Sequence, residues 1–358
     1  MFKKIAARIF LLGISLFFGF FLIELALRAY GLSPNNETLT IYEFSETVGW
    51  QPIKSHKYYL STLYCWQWRY YNVDGLPTTK DGLQTILDKN TPSVAILGDS
   101  FAEGYCIPYE KSFAYVLDEK LADKQVVNLG VNGYSPDQYL MRARENIKKF
   151  NVEDIVVMFY PANDISYLYR QYTESKELGH AKPYFADNDY VNPTNIPLEK
   201  IADKMQPKNP VIRMIKDSST YSFLRPIVRQ RFLKNSGEEA GETEDITYKK
   251  EEMGKALGLI KQIKSENPGK NFFVYYIPNY SIDYKMGAGL DDKNIKTYQE
   301  LCEELDLKCF TPESEFAKVD SVKKMYNIDK HDGHFSEEGS AVIAEHLYRI
   351  LTQQPANQ

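Results

Sequence analysis

The sequence predicts an α/β chain in which a parallel β-sheet is covered by helices on both faces, behind an apolar N-terminal helix. Three observations carry this. Short apolar runs, such as Ser93–Leu97 (SVAIL) and Ile155–Tyr160 (IVVMFY), have the profile of strands buried on both faces. Segments with apolar residues at helical spacing separate these runs. An uncharged stretch rich in Phe and Leu opens the chain.

In the opening stretch, Lys3, Lys4 and Arg8 precede the uncharged segment Ile9–Ile23. Continuing the helix to Leu27 gives about 28 Å at 1.5 Å per residue, close to the bilayer core. Glu24 falls in that continuation and can pair with Arg28 one turn later. Basic residues before the span, and none immediately after it, predict a cytoplasmic N-terminus and an extracytoplasmic body, periplasmic or at the cell surface. No small-x-small cleavage site follows, so residues 1–32 read as an uncleaved signal anchor.

Residues 33–90 read as a Tyr-rich lead-in. Within it Tyr64, Trp66, Trp68 and Tyr70 alternate with Cys65, Gln67 and Arg69, which is strand periodicity with one aromatic face. That face serves either as a stacking platform for sugars or as the side of the strand packed on the core.

The α/β rhythm occupies residues 91–353. Strands are expected at Ser93–Leu97, Gln125–Leu129, Ile155–Tyr160, Phe272–Ile277 and Lys308–Phe310. Helices are expected at Ser112–Leu121, Tyr139–Phe150, Glu251–Ser265 and Asn294–Leu305. A final helix starts after Ser336, a good N-cap, with Val342, Ile343, Leu347, Ile350 and Leu351 on its apolar face. The stretch at about 167–247 breaks the rhythm with prolines, mixed charge and the acidic run Gly237–Asp245. It reads as an insertion between the third and fourth strands, partly disordered around that run, lying over the carboxyl ends of the strands as a lid or cap.

Composition narrows the partners. The 358 residues are 43% hydrophobic and 25% charged, with a net charge of −5 and no long basic run after the first few residues. Nucleic-acid binding, which needs clustered Lys and Arg, is excluded. Four cysteines, Cys65, Cys106, Cys302 and Cys309, either form two disulfides, with Cys302 joined to Cys309 and Cys65 to Cys106, or remain reduced. No zinc-ligand spacing is present in the sequence.

Candidate chemistry sits at the strand ends. A serine hydroxyl needs a base, usually His, oriented by a carboxylate. Ser100 lies just past the first strand, after Gly98, which permits a sharp turn. Asp332-Gly333-His334 precedes the final helix, and this spacing lets the carboxylate reach Nδ1 while Nε2 stays free for the serine. Taken alone, the same loop also reads as a helix cap beside a surface histidine. Asn163 follows the third strand and can supply an amide to an oxyanion, and Gly133, beyond the second strand, a backbone N–H. Each alone also reads as a turn residue.

In combination and order, these residues resemble the signature of the SGNH/GDSL hydrolases. The resemblance runs from about Pro92 to Leu351, with the insertion unmatched, and falls on Ser100 in GDSF, Gly133, Asn163 and His334. It implies a flavodoxin-like three-layer α/β/α domain and Ser–His–Asp catalysis with neither metal nor cofactor. It also implies an oxyanion hole from the Ser100 N–H, the Gly133 N–H and the Asn163 amide. The N-terminal helix, the NVDGL stretch and DGHFSEEG look like those of envelope-associated members, some of which move acetyl or other acyl groups on polysaccharides. Two departures stand out. Pro161 occupies the place of a glycine two residues before Asn163, and His331 stands three before His334 where the family often has Asp. Asp332 is therefore the expected acid, with Asp329 in reserve.

The functional expectation is serine-dependent hydrolysis or transfer of an acyl group on an extracytoplasmic ester, with a glycan or envelope component as substrate. Two alternatives stand beside it. One is a catalytically inactive domain that binds a glycan or envelope partner. The other is a lipid esterase, for which the anchor argues.

Overall fold

The computed structural model describes residues 2–30, 42–61, 65–168, 182–185, 190–191, 193, 214–215, 218–221, 223–224, 228, 247–287, 289–328 and 332–353. The acidic run Gly237–Asp245, the reserve acid Asp329 and Tyr64 lie outside the described residues.

Helix α1 spans Phe2–Tyr30, and its segment Phe10–Tyr30 is long and apolar enough to cross a membrane. Glu24 and Arg28 pair on it at 2.7 Å. Glu24 also accepts from the backbone N–H groups of Ser219 and Thr220, each at 2.8 Å, so the inserted stretch touches the N-terminal helix.

The lead-in folds into small antiparallel pieces. Strands β1 (Tyr42–Ser45) and β2 (Gly49–Pro52) form a hairpin, and β3 (His56–Ser61), β4 (Trp66–Tyr71) and β5 (Pro77–Thr78) form a three-stranded sheet. The alternation along β4 is as expected, but the face that packs inward is the other one. Arg69 and Tyr71 are buried, whereas Trp68 and Tyr70 are half-exposed. The reason is polar: Arg69 donates from both ends of its guanidinium to the buried carbonyls of Glu103 and Gly104.

The main sheet consists of β6 (Ser93–Leu97), β7 (Gln125–Asn128), β8 (Val152–Phe159), β9 (Asn271–Tyr276) and β10 (Lys308–Phe310). All its pairings are parallel and the spatial order is β10-β9-β8-β6-β7. Counting only these strands, this is the flavodoxin-like order 2-1-3-4-5, whose direction reverses between β6 and β8. All five residues of β6 are buried, which explains why its sequence is apolar rather than alternating.

Between and after these strands run α2 (Ser100–Glu103), α3 (Phe113–Lys120), α4 (Pro136–Asn146), α5 (Pro161–Asp164), α6 (Lys250–Glu266), α7 (Lys293–Glu304), α8 (Glu313–Phe316) and α9 (Glu337–Thr352). Successive strand residues feed opposite layers. Ala95, Leu97, Ile155 and Val157 pack with α4, α6 and α7, together with the lead-in residues Trp50, Tyr58 and Tyr71. Val94, Ile96, Val156 and Met158 pack with α3 and α9 on the other face. Ser112 and Ser336 cap α3 and α9 by accepting from Tyr115 N–H and Gly339 N–H, a contribution of about 1 kcal/mol each. Both paired disulfides are formed, Cys65–Cys106 between lead-in and sheet domain and Cys302–Cys309 between α7 and β10.

Candidate active site

The strand order puts the carboxyl ends of β6, β7 and β8 side by side, and the candidate residues follow from those ends. β6 runs directly into the loop Gly98-Asp99 and then α2, whose first residue is Ser100. Gly98 is required here by space rather than by a left-handed turn: a Cβ would sit 2.7 Å from Ala102 Cβ and 3.0 Å from Met158 Cβ. Gly133 does need a left-handed backbone, with φ of +78°. Around it, Val131 N–H donates to Gly98 O at 3.1 Å and Asn132 N–H to Glu103 Oε2 at 3.2 Å. The loop after β7 is thereby pinned to both sides of Ser100.

On the far side of the sheet end, His334 lies in the loop before α9. Its Nε2 is 2.7 Å from Ser100 Oγ, and its Nδ1 is 2.6 Å from Asp332 Oδ1. A carboxylate accepts only, so the Nδ1 proton points to Asp332 and Nε2 is left to accept from the serine hydroxyl. The loop is held by Asn327. It donates its N–H to His334 O and its amide to Phe335 O, and accepts from Asp332 N–H, at 2.8, 2.9 and 3.2 Å. The rings of Phe101 and Tyr105 lie 4.8 and 4.9 Å from the imidazole.

Asn163 sits in α5, where Pro161 takes the first helical position, a place that tolerates its missing N–H. Its amide donates to Asp99 Oδ2 at 2.8 Å, which leaves one amide hydrogen for another acceptor. Asp164 ties α5 back to the sheet by accepting from Tyr139 OH and Tyr160 N–H at 2.7 and 2.9 Å. Burial holds the Asp164 carboxyl well above the usual range, reinforced by the Asp99 charge. Asp99 is itself fully buried, and burial pushes it up to about 6 against the pull of the Phe101 N–H and the His334 charge.

In fold the chain is similar to solved esterases and acylhydrolases of the G-D-S-L type. A lipase/acylhydrolase from Enterococcus faecalis aligns at 10% identity over 75% of this chain and 100% of its own, with a TM-score of 0.40. A member of the lipolytic protein G-D-S-L family from Veillonella parvula DSM 2008 aligns at 14% identity over 73% and 97%, with a TM-score of 0.34. The psychrotrophic esterase EstA from Pseudoalteromonas sp. aligns at 11% identity over 74% and 98%, with a TM-score of 0.35. No family model matches the sequence, and no curated protein does. At these TM-scores the likeness carries no argument, and the chemistry rests on the distances above.

Ser100, His334 and Asp332 are thus brought into hydrogen-bonded contact, and Asn163 is bonded to the neighbour of Ser100. Several residues around them escape a sequence reading. Glu103, three residues after Ser100, is buried and accepts from Tyr42 OH at 3.2 Å, from Tyr71 OH and from Asn132 N–H. Arg69 donates to the backbone carbonyls of Glu103 and Gly104, closing the end of α2. Tyr42, Arg69 and Tyr71 come from the lead-in, so that region forms part of the wall behind the nucleophile loop. Alternating aromatics mark β4 as a strand, but no local pattern reveals that its arginine faces in.

Proposed function

We propose that this chain is a membrane-anchored serine esterase or O-acyltransferase acting on an acyl ester outside the cytoplasm. One observation carries the reading: the unbroken relay from Ser100 Oγ through His334 to Asp332, at 2.7 and 2.6 Å. Ser100 attacks the acyl carbonyl while His334 Nε2 takes its proton. Asp332 steadies the imidazolium that forms. The tetrahedral oxyanion receives hydrogen bonds from the Ser100 N–H, the Gly133 N–H and the Asn163 amide. Collapse expels the alcohol, which takes the proton from His334, and leaves an acyl group on Ser100. Water or a sugar hydroxyl then repeats the sequence in reverse. No step draws on a metal or cofactor.

A small acyl group, acetyl foremost, on a glycan or envelope component is the proposed substrate. Two disulfides and an apolar span at Phe10–Tyr30 support an exported setting. Half-exposed Trp68 and Tyr70 on β4 offer surfaces on which a sugar ring can stack.

The test is p-nitrophenyl acetate turnover by the full-length chain in detergent, compared with Ser100→Ala and His334→Ala. Each substitution is expected to cost about 10⁴-fold or more in kcat. Turnover unchanged in both variants rules the serine mechanism out. Acetylated polysaccharide and phospholipid, offered separately as substrates, divide the glycan reading from a lipid esterase.

A further inference from the structure

Asp332 is 7% exposed, and only one of its carboxylate oxygens is engaged. Oδ1 faces His334 Nδ1, whereas Oδ2 is buried and has no hydrogen-bond partner among the described residues. A buried carboxylate oxygen with no donor is costly, and such an atom calls for a reason. Beside this carboxyl stands a disulfide: Cys65 Sγ, Cys106 Sγ and a carboxylate oxygen of Asp332 all lie within 4.8 Å of one another. The two sulfurs are bonded to each other, so neither is a thiolate ligand nor carries a hydrogen.

The chain beside the disulfide has holds of its own at the site, besides the cross-link. Cys106 holds a left-handed backbone, with φ of +64°, which a non-glycine residue keeps only when its surroundings fix it. Its neighbour Tyr105 donates its N–H to Ser100 O at 2.9 Å and lays its ring against His334. Cys65 stands at the entry to β4, the strand that carries Arg69 and Tyr71.

We propose that the Cys65–Cys106 disulfide is a redox-sensitive positioning element: a hydrogen-free wall beside Asp332 that keeps the carboxylate's charge directed at His334. The proposal rests on the reading of Ser100, His334 and Asp332 as the reactive set. Reduction by a dithiol transfers two electrons and two protons. The S–S bond breaks, two thiols form, and the reductant leaves as its own disulfide. Each new S–H is a donor whose sulfur stands within 4.8 Å of an Asp332 carboxylate oxygen, and rotation of the freed side chain can turn it toward the carboxyl. A donor there draws charge away from the His334 side and weakens the base that deprotonates Ser100.

The experiment compares three paired variants of the full-length chain in detergent. Cys65→Ser/Cys106→Ser removes the cross-link and supplies hydroxyl donors. Cys65→Ala/Cys106→Ala removes the cross-link and supplies none. Cys302→Ala/Cys309→Ala removes the other cross-link. The serine pair is expected to lose about fivefold in kcat on p-nitrophenyl acetate at unchanged KM, while both alanine pairs stay within about twofold of wild type. Dithiothreitol treatment lowers kcat of the wild type toward the serine pair, and reoxidation restores it.

A readout independent of turnover is the downfield proton resonance of His334 Nδ1–H, identified by its loss in His334→Ala. It moves upfield in the serine pair and stays in place in the Cys65→Ala/Cys106→Ala pair. A Cys65→Ala/Cys106→Ala pair as impaired as the serine pair overturns the proposal, since the cross-link alone would then matter. An unaltered serine pair, in both kcat and resonance, overturns it too. Labelling of Ser100 by a fluorophosphonate in the wild type keeps the two readings apart. A chain that neither labels nor turns over ester refutes the esterase reading, and the resonance still decides the role of the disulfide.

Discussion

Asn163 donates its side-chain amide to Asp99 Oδ2 at 2.8 Å, and Asp99 is the residue immediately before Ser100. The end of β8 is thereby fastened to the end of β6 at the point where the strand order reverses. Asn163 is expected to present its remaining amide hydrogen to an oxyanion at a fixed angle to the serine. Asn163→Ala should lower kcat on p-nitrophenyl acetate about a hundredfold or more, with KM changed little. A variant that raises KM and leaves kcat intact would show that Asn163 binds the ground state instead.

Asp99 also carries a pH signature. Burial lifts its carboxyl from 3.8 to about 6, so the folded chain keeps this proton to a higher pH than the unfolded chain does. The contribution to stability is therefore full below about pH 4 and is lost as the pH rises through about 6. The size is on the order of 3 kcal/mol. Asp99→Asn has no proton to lose. Urea unfolding at a series of pH values should find wild type losing stability relative to Asp99→Asn between those limits. A constant difference would mean that Asp99 ionises as freely folded as unfolded.

The acid of the relay can be assigned by paired substitution. Asp332→Asn keeps the shape but offers His334 Nδ1 an amide, and the favoured tautomer changes. A loss of about 10³-fold in kcat is expected, whereas Asp329→Asn should leave kcat within about twofold. The opposite pattern would hand the role to Asp329.

Arg69 is 2% exposed and bound to the carbonyls of Glu103 and Gly104. Burial disfavours its charge, but the Glu103 carboxylate and the surrounding tyrosines hold it above the ordinary range. Replacing it with Met strands Glu103 in the interior. Arg69→Met is expected to destabilise the fold by about 3–5 kcal/mol in urea unfolding. Arg69→Met/Glu103→Gln should recover part of that loss, because no unpaired charge remains buried. If the double variant is as unstable as the single one, the cluster acts through shape and not through charge.

Much of this was legible before the structure. Strands buried on both faces announce themselves as apolar runs, as at Ser93–Leu97. Helix limits differ from the sequence expectation by a few residues where the signal is weak. The helix expected from Tyr139 begins at Pro136, because proline suits a first turn and the apolar pattern starts only later. Ser100, Asp332 and His334 could be paired because each stands at a strand end or beside a capped helix, and loops there converge over the sheet. The supports could not be read this way. Glu103, Arg69 and Asn327 look like ordinary polar residues until the chain brings their partners from distant positions, or folds a loop back on itself. Glycine at 98 marks the site for a different reason than the expected turn, namely crowding by Ala102 and Met158.

Ser100 and His334 are 234 residues apart in the chain, and the loop bearing His334 lies directly ahead of the last helix and its cap. During synthesis the serine therefore emerges long before its base. A chain interrupted ahead of His334 carries an inert hydroxyl, so such premature products of translation or proteolysis are chemically silent. Reactivity arrives last, with the C-terminal segment.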